Sequence, residues 1–190
     1  MGLAILGIAI TVMVQQTFNK EVPPATSVEE PSEQNITFTL SSPSFDNGTE
    51  IPLRFLCQGD NISPALSISN APSQTKEYVL LMRGPNKEDK DTSYWVVWGI
   101  PKDTKELIEG VVTRGTQGTN QLGKQGYDGP CVEPTSTKQF SFELYAIDEA
   151  LQLPPETTRE GVIAAINGKV IAKTILIGTV QPTITTLPQQ

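Results

Sequence analysis

Alternation of apolar and polar residues predicts β-strands over much of this chain. Residues 36–42 (ITFTLSS) and 139–147 (QFSFELYAI) alternate with the period of two that is typical of a half-buried strand. The second segment is expected to turn one face toward the core, with the side chains of Phe140, Phe142, Leu144 and Ala146. Residues 78–82 (YVLLM) and 94–100 (YWVVWGI) are almost continuously apolar, which predicts central strands that are covered on both faces.

The pattern changes to that of a helix only near the C-terminal end. Thr157 and Glu160 have the spacing of a capping box, apolar residues follow at positions 162, 163, 165 and 166, and Gly168 is suited to the C′ position. Residues 173–180 (KTILIGTV) then return to a strand pattern. Many short strands and few helices predict a mainly β fold, an antiparallel β-sandwich with one or two peripheral helices.

The two ends of the chain differ from this middle part. Residues 1–19 contain an uninterrupted apolar run from Gly2 to Val14, which is shorter than the ~20 residues of a membrane-spanning helix but suits a segment for export or anchoring. Residues 20–35 are rich in Pro, Glu and Ser and predict a disordered acidic linker. The globular domain is expected at 36–181, followed by a flexible tail at 182–190.

Composition narrows the function further. A net charge of −7 argues against nucleic-acid binding, and any membrane association is expected through the N-terminal segment. The chain has no histidine, which excludes Ser-His-Asp and Cys-His catalysis and metal sites that need imidazole. We therefore expect a protein that is not an enzyme and that carries no cofactor and no metal.

The two cysteines, Cys57 and Cys131, are 74 positions apart. This wide spacing fits no zinc motif, since zinc motifs use close pairs of cysteines. Composition leaves two interpretations open: one long-range disulfide in an exported protein, or two buried free thiols.

Several blocks of sequence follow one another in the order found in a known family. They comprise residues 42–72 with CQGDNISPAL, residues 75–86, residues 94–101 with YWVVWGIP, and residues 118–148 with GYDGPC and FSFELYAID. Together they resemble the phosphatidylethanolamine-binding protein family, in its bacterial and archaeal Raf-kinase-inhibitor-like branch. The resemblance spans about residues 36–180, almost the whole predicted domain, and the combination of CQGDNISPAL with GYDGPC is its most specific part.

The resemblance implies a β-sandwich with a small anion-binding pocket at one edge. The family's pocket aspartate falls on Gly84, its first histidine on Tyr94, its second histidine on Lys138 and its tyrosine on Phe140, while the Gly-Pro loop is kept as Gly129-Pro130. The predicted positions of this altered ligand-binding pocket are Arg83, Gly84, Pro85, Tyr94, Gly129, Pro130, Lys138 and Phe140. The resemblance also places Cys57 and Cys131 near the pocket edge, which makes a disulfide between them plausible.

Two interpretations of the altered pocket follow. In one, Lys138 anchors an anionic group with help from the Gly129 backbone, and Arg83 offers a bidentate fork. In the other, Tyr94 and Phe140 fill the pocket and Lys138 points to solvent. The expected function is that of a non-enzymatic, exported or membrane-tethered binding or regulatory protein, with a small anionic ligand or a protein as its partner. The alternatives are an inhibitor of a protease or kinase, by family analogy, and an envelope protein with a vestigial pocket.

Overall fold

The structure is a computed structural model that describes residues 37–111, 114–132 and 135–182. Within these ranges the chain forms nine strands, a short 3₁₀ turn at Leu53–Phe55 and one α-helix, α1, at Arg159–Ala165. The strands are β1 (Thr39–Ser41), β2 (Thr49–Glu50), β3 (Leu66–Ser69), β4 (Glu77–Pro85), β5 (Asp91–Pro101), β6 (Glu106–Leu107), β7 (Thr116–Gln117), β8 (Lys138–Ile147) and β9 (Val170–Val180).

The strands form two sheets, as the sequence predicts for a sandwich. The smaller sheet has the order β1-β3-β6, and the larger has the order β2-β9-β8-β4-β5-β7. All pairs are antiparallel except β2 with β9, which run parallel over two residues. The two apolar runs of the sequence lie in β4 and β5, both inside the larger sheet, and their residues are almost all buried.

The main core lies on one face of the larger sheet. The four β8 side chains expected to share this face are fully buried in it, in contact with residues from the smaller sheet such as Leu66 and Ile68. Hydrophobic burial on this scale is the main driving force of folding. Period-two alternation in β8 therefore predicts its core face correctly.

A second, smaller core covers the opposite face of the same sheet. Trp98, Tyr145 and Ile147 pack there against Val162 and Ile166 from α1 and the turn that follows it. The predicted capping box is wrong, because α1 begins at Arg159 after Thr158, which makes no side-chain cap. The Thr157 hydroxyl instead donates to the Pro154 carbonyl at 2.7 Å in the preceding turn.

The predicted terminal segments fall almost wholly beyond the described residues. The apolar segment 1–19 and the linker 20–35 lie outside them, and so does the tail 182–190 except for Pro182. Within the described ranges, no helix is both long enough and apolar enough to cross a membrane.

Candidate functional site

Three of the predicted site residues pack against one another where β4, β5 and β8 adjoin. Tyr94 and Phe140 are buried, and their ring centroids lie 5.5 Å apart in an edge-to-face arrangement. Any side chain added at Gly84 would overlap with the Phe140 ring. The Tyr94 hydroxyl donates a hydrogen bond to the Pro85 carbonyl at 2.9 Å. Aromatic side chains thus fill the space between these strands.

The two cations predicted to receive an anion are each engaged by carboxylates of the protein. Lys138 Nζ lies 2.5 Å from Asp89 in the turn between β4 and β5. Arg83 lies 3.0 Å from Asp91 and 3.4 Å from Glu143. The hydrogen bond with Asp91 is the main reason that the pKa of Arg83 is raised. Both cations therefore pair with carboxylates of the protein, and neither is held ready for an anionic ligand.

Two cavities lie on either side of this aromatic packing. The first, which we call the sheet-face groove, has a volume of about 460 Å³ and is bounded by Arg83, Gly84, Phe140, Glu143, Ile175 and Ile177. The second, which we call the disulfide cleft, has a volume of about 580 Å³ and is bounded by Cys57, Asn61, Tyr94, Lys124, Asp128 and Cys131. The predicted site residues are therefore not brought together in one cavity. Four of them line the sheet-face groove (Arg83, Gly84, Pro85 and Phe140), Tyr94 lines the disulfide cleft, and Gly129, Pro130 and Lys138 line neither.

Two of the loops that line the disulfide cleft are far apart in sequence but are joined to each other. Cys57 and Cys131 form a disulfide, with Cα atoms 5.1 Å apart. Beside it, the Cys57 N–H donates to the Pro130 carbonyl at 3.2 Å, and the Tyr127 hydroxyl donates to the Phe55 carbonyl at 2.7 Å. The disulfide expected from the resemblance is therefore present, and backbone contacts hold the same two loops together.

Asn61 and Asp128 form the polar centre of this cleft. Asn61 has a left-handed backbone, with φ of +56°, and its amide nitrogen donates to Asp128 at 2.9 Å. Its amide oxygen accepts the Gly129 N–H at 2.7 Å, so this N–H is engaged within the protein. A side chain at Gly129 would overlap with the Phe55 carbonyl, which explains the need for glycine there.

The Asp128 carboxylate also affects the two tyrosines nearest to it. Burial raises the pKa of Tyr94 to about 12, and the negative charge of Asp128 adds to this effect. The same two causes, in the same order, raise the pKa of Tyr127. Both phenols are therefore neutral at physiological pH, and Asp128 supplies the buried charge of the cleft.

The sheet-face groove has a different character, because its one buried carboxylate, Glu143, is paired with several neighbours. Burial by itself would raise the pKa of Glu143. Hydrogen bonds from Tyr145 and Lys173, together with the charges of Lys173 and Arg83, outweigh burial and lower it overall. This arrangement is that of a satisfied ion-pair network, since Glu143 contacts two cations and a hydroxyl.

The site predicted from the sequence does not include Asn61, Lys124 or Asp128. Asn61 and Asp128 lie inside the two most specific blocks, CQGDNISPAL and GYDGPC. The signal available for Asp128 was its position as a charged residue directly before the Gly129-Pro130 step. Among the described residues, no three His, Cys, Asp or Glu side chains are grouped closely enough to hold a metal ion.

Comparisons with known proteins agree with the fold. A family model of phosphatidylethanolamine-binding proteins matches residues 41–181. A Methanothermobacter thermautotrophicus protein that carries the name UPF0098 protein is 37% identical over 145 residues, which cover 73% of this chain and 95% of that protein. A Mycobacterium tuberculosis protein that carries the name lipoprotein LppC is 34% identical over 162 residues, or 83% of this chain and 80% of the relative.

A solved structure supports the same assignment. The crystal structure of a phosphatidylethanolamine-binding protein homologue from Chlamydia trachomatis is similar to this chain with a TM-score of 0.72 and 33% identity. The match covers 77% of this chain and 98% of that one. Sequence and fold thus agree over nearly the whole length of the homologue.

Proposed function

This chain belongs to the phosphatidylethanolamine-binding protein family, and from that membership we propose that it is a non-enzymatic binding protein that takes up a small polar ligand in the disulfide cleft. The observation that carries the proposal is the open cleft of about 580 Å³ beside the Gly129-Pro130 loop, where polar groups from three separate loops converge. Ligand sites are concave and contain a few polar groups at fixed positions.

The cleft offers binding groups without the elements of nucleophilic catalysis. Its buried carboxylate, Asp128, is held by Asn61, and the Tyr94 hydroxyl is used in a hydrogen bond to Pro85. The chain has no histidine to act as a general base near neutral pH. A binding or regulatory role follows more directly from this arrangement than hydrolysis or group transfer.

We place this function outside the cytoplasm. The disulfide between Cys57 and Cys131 supports this location, because such bonds persist in oxidising compartments. The apolar segment 1–19 supports it independently, as a segment for export or anchoring. The relative that carries the name lipoprotein LppC supports the same location.

Isothermal titration calorimetry with phosphorylethanolamine, phosphate and acetate tests the proposal. Leu122 lines the cleft and is 52% exposed, so Leu122→Trp narrows the cleft with little cost to the fold. Ile108 is similarly exposed, at 55%, and lies outside the cleft, so Ile108→Trp is the matched control. We expect wild type and Ile108→Trp to bind at least one probe equally, and Leu122→Trp to lose that binding.

Other outcomes would contradict the proposal. No heat with any of the three probes would favour the alternative of an envelope protein whose pocket is vestigial, an interpretation that the packing of Tyr94 on Phe140 also supports. Equal binding by wild type and Leu122→Trp would place the ligand outside the disulfide cleft. Loss of binding in Lys138→Ala would restore the anion site predicted at Lys138, whose ammonium contacts Asp89 here.

A further inference from the structure

The disulfide cleft contains one carboxylate that is both buried and fixed in position. The Asp128 side chain is only 7% exposed. One of its oxygens accepts the Asn61 amide at 2.9 Å, and its backbone N–H donates to the Tyr94 carbonyl at 3.0 Å. Asn61 is itself held by the Gly129 N–H. The direction of the carboxylate is therefore set before any ligand arrives.

The second oxygen of Asp128 has a partner of a different kind. Lys124 Nζ lies 3.1 Å from it, but the Lys124 side chain is 64% exposed. Ion pairs with a solvated lysine contribute little, typically about 0–1 kcal/mol. A carboxylate removed from water, by contrast, requires a cation or hydrogen-bond donors. Lys124 thus supplies a charge that Asp128 needs through a contact that is easily exchanged.

Three other polar groups in or beside the cleft are engaged elsewhere. The Tyr94 hydroxyl donates to Pro85, and the Tyr127 hydroxyl donates to Phe55. The other carboxylate of the cleft, Glu88, is 67% exposed and pairs with Lys90 at 2.5 Å. Among the described residues of the cleft, Asp128 is the carboxylate that is both buried and opposed by a largely solvated cation.

We propose that Asp128 binds an ammonium group of the ligand, and that Lys124 occupies this position in the free protein and is displaced when the ligand binds. The inference rests on the proposed function, because it specifies the chemistry of a ligand in the same cleft. The incoming N–H groups replace those of Lys124 on the second carboxylate oxygen. The displaced Lys124 then lies beside the ligand, where it can pair with an anionic group if the ligand carries one.

Removing the internal competitor gives the sharpest test. Propylammonium chloride is titrated by calorimetry at constant ionic strength against wild type and Lys124→Gln. If Lys124 competes for Asp128, its removal should tighten propylammonium binding about two- to fivefold, the value of a largely exposed ion pair. Unchanged or weaker binding in Lys124→Gln would overturn the proposal.

Two further variants separate Asp128 from general electrostatic attraction. Asp128→Asn keeps the shape and an oxygen for Asn61 but removes the charge, and it should weaken propylammonium binding at least about tenfold. Glu88→Gln removes the same charge from an exposed position of the same cleft and should change binding less than about twofold. Equal losses in both variants would indicate unspecific attraction. If Asp128→Asn fails to fold by circular dichroism, the comparison of wild type with Lys124→Gln decides alone.

Two additional probes define the ligand group. Tetramethylammonium has the same charge but no N–H, so it should bind more weakly than propylammonium; equal binding would contradict a hydrogen-bonded ammonium. Phosphate that binds wild type more tightly than propylammonium, and that loses binding in Lys124→Gln, would assign an anion site instead. If phosphorylethanolamine binds in the cleft but Lys124→Gln does not tighten propylammonium, only this inference fails and the proposed function stands.

Discussion

Replacing both cysteines by serine is expected to cost most of what a long-range disulfide can contribute to stability. Cys57 and Cys131 are separated by 74 positions, so the bond closes about half of the described domain into one loop in the unfolded chain. The loop-entropy relation gives about 4.5 kcal/mol at 25 °C for a loop of this length. The free energy of unfolding of Cys57→Ser/Cys131→Ser should therefore be lower than that of the oxidised wild type by an amount approaching this value.

The fold itself should survive, because other contacts hold the same loops together. Gln58 Nε2 donates to the Val132 carbonyl at 3.2 Å, and Asn61 accepts the Gly129 N–H at 2.7 Å. The loss thus acts mainly through the unfolded state, whose entropy rises when the constraint is removed. The near-ultraviolet circular dichroism of the folded variant should match that of wild type.

Urea denaturation followed by tryptophan fluorescence measures the difference, since Trp95 and Trp98 are both buried. A reducing agent should lower the midpoint of wild type and leave the double-serine variant unchanged, which is the internal control. Thiol quantitation under denaturing, non-reducing conditions should find no free thiol in wild type. A difference in unfolding free energy below about 1 kcal/mol would refute the loop-entropy argument.

Four further predictions concern single residues. Gly129→Ala should destabilise the protein by more than about 2 kcal/mol, measured by urea denaturation, because its Cβ would overlap with the Phe55 carbonyl. The pKa of Glu143 is lowered in the folded state, so this carboxylate stabilises the fold above its unfolded pKa and loses that contribution as the pH falls through its folded pKa. Glu143→Gln should therefore be less stable than wild type at pH 7, and the difference should shrink in acid. The pKa of Glu77 is raised, mainly by burial, so the pH dependence has the opposite sign. The stability of Glu77→Gln relative to wild type should therefore increase as the pH rises. Lys138→Ala should cost less than about 1 kcal/mol in thermal or urea unfolding, because the carboxylate that Lys138 contacts is largely exposed.

The architecture could be predicted from the sequence because its signals are local. Period-two alternation in β8 sets which side chains face the core, and the apolar runs in β4 and β5 require strands covered on both faces. The short parallel pair of β2 with β9 has no comparable signal, since a two-residue strand carries no period. Thr157 has the right spacing for a cap but is held in a turn by Pro154, a competition that spacing does not show.

The site was less predictable, because it is built from loops that meet over long sequence distances. Asn61 and Asp128 are 67 positions apart, and their contact depends on the positions of both loops on the sandwich. Lys138 illustrates a second limit. Its position on the strand follows from alternation, but its flexible stem carries the ammonium to Asp89, which borders the sheet-face groove, and Lys138 itself lines neither cavity.

The absence of histidine and the role proposed for Lys124 have a common physical origin. An imidazole at position 94, beside the buried Asp128 carboxylate, would be held in its charged form by that carboxylate and would neutralise it. Tyr94 cannot do so, and the charge of Asp128 instead helps to raise the pKa of the phenol. The carboxylate therefore pairs with a cation from another position, and in the described part of the cleft this partner is the largely exposed Lys124. A cleft that carries a fixed negative charge and an exchangeable positive one favours a ligand with an ammonium group, which is the opposite sign from the anion expected at Lys138.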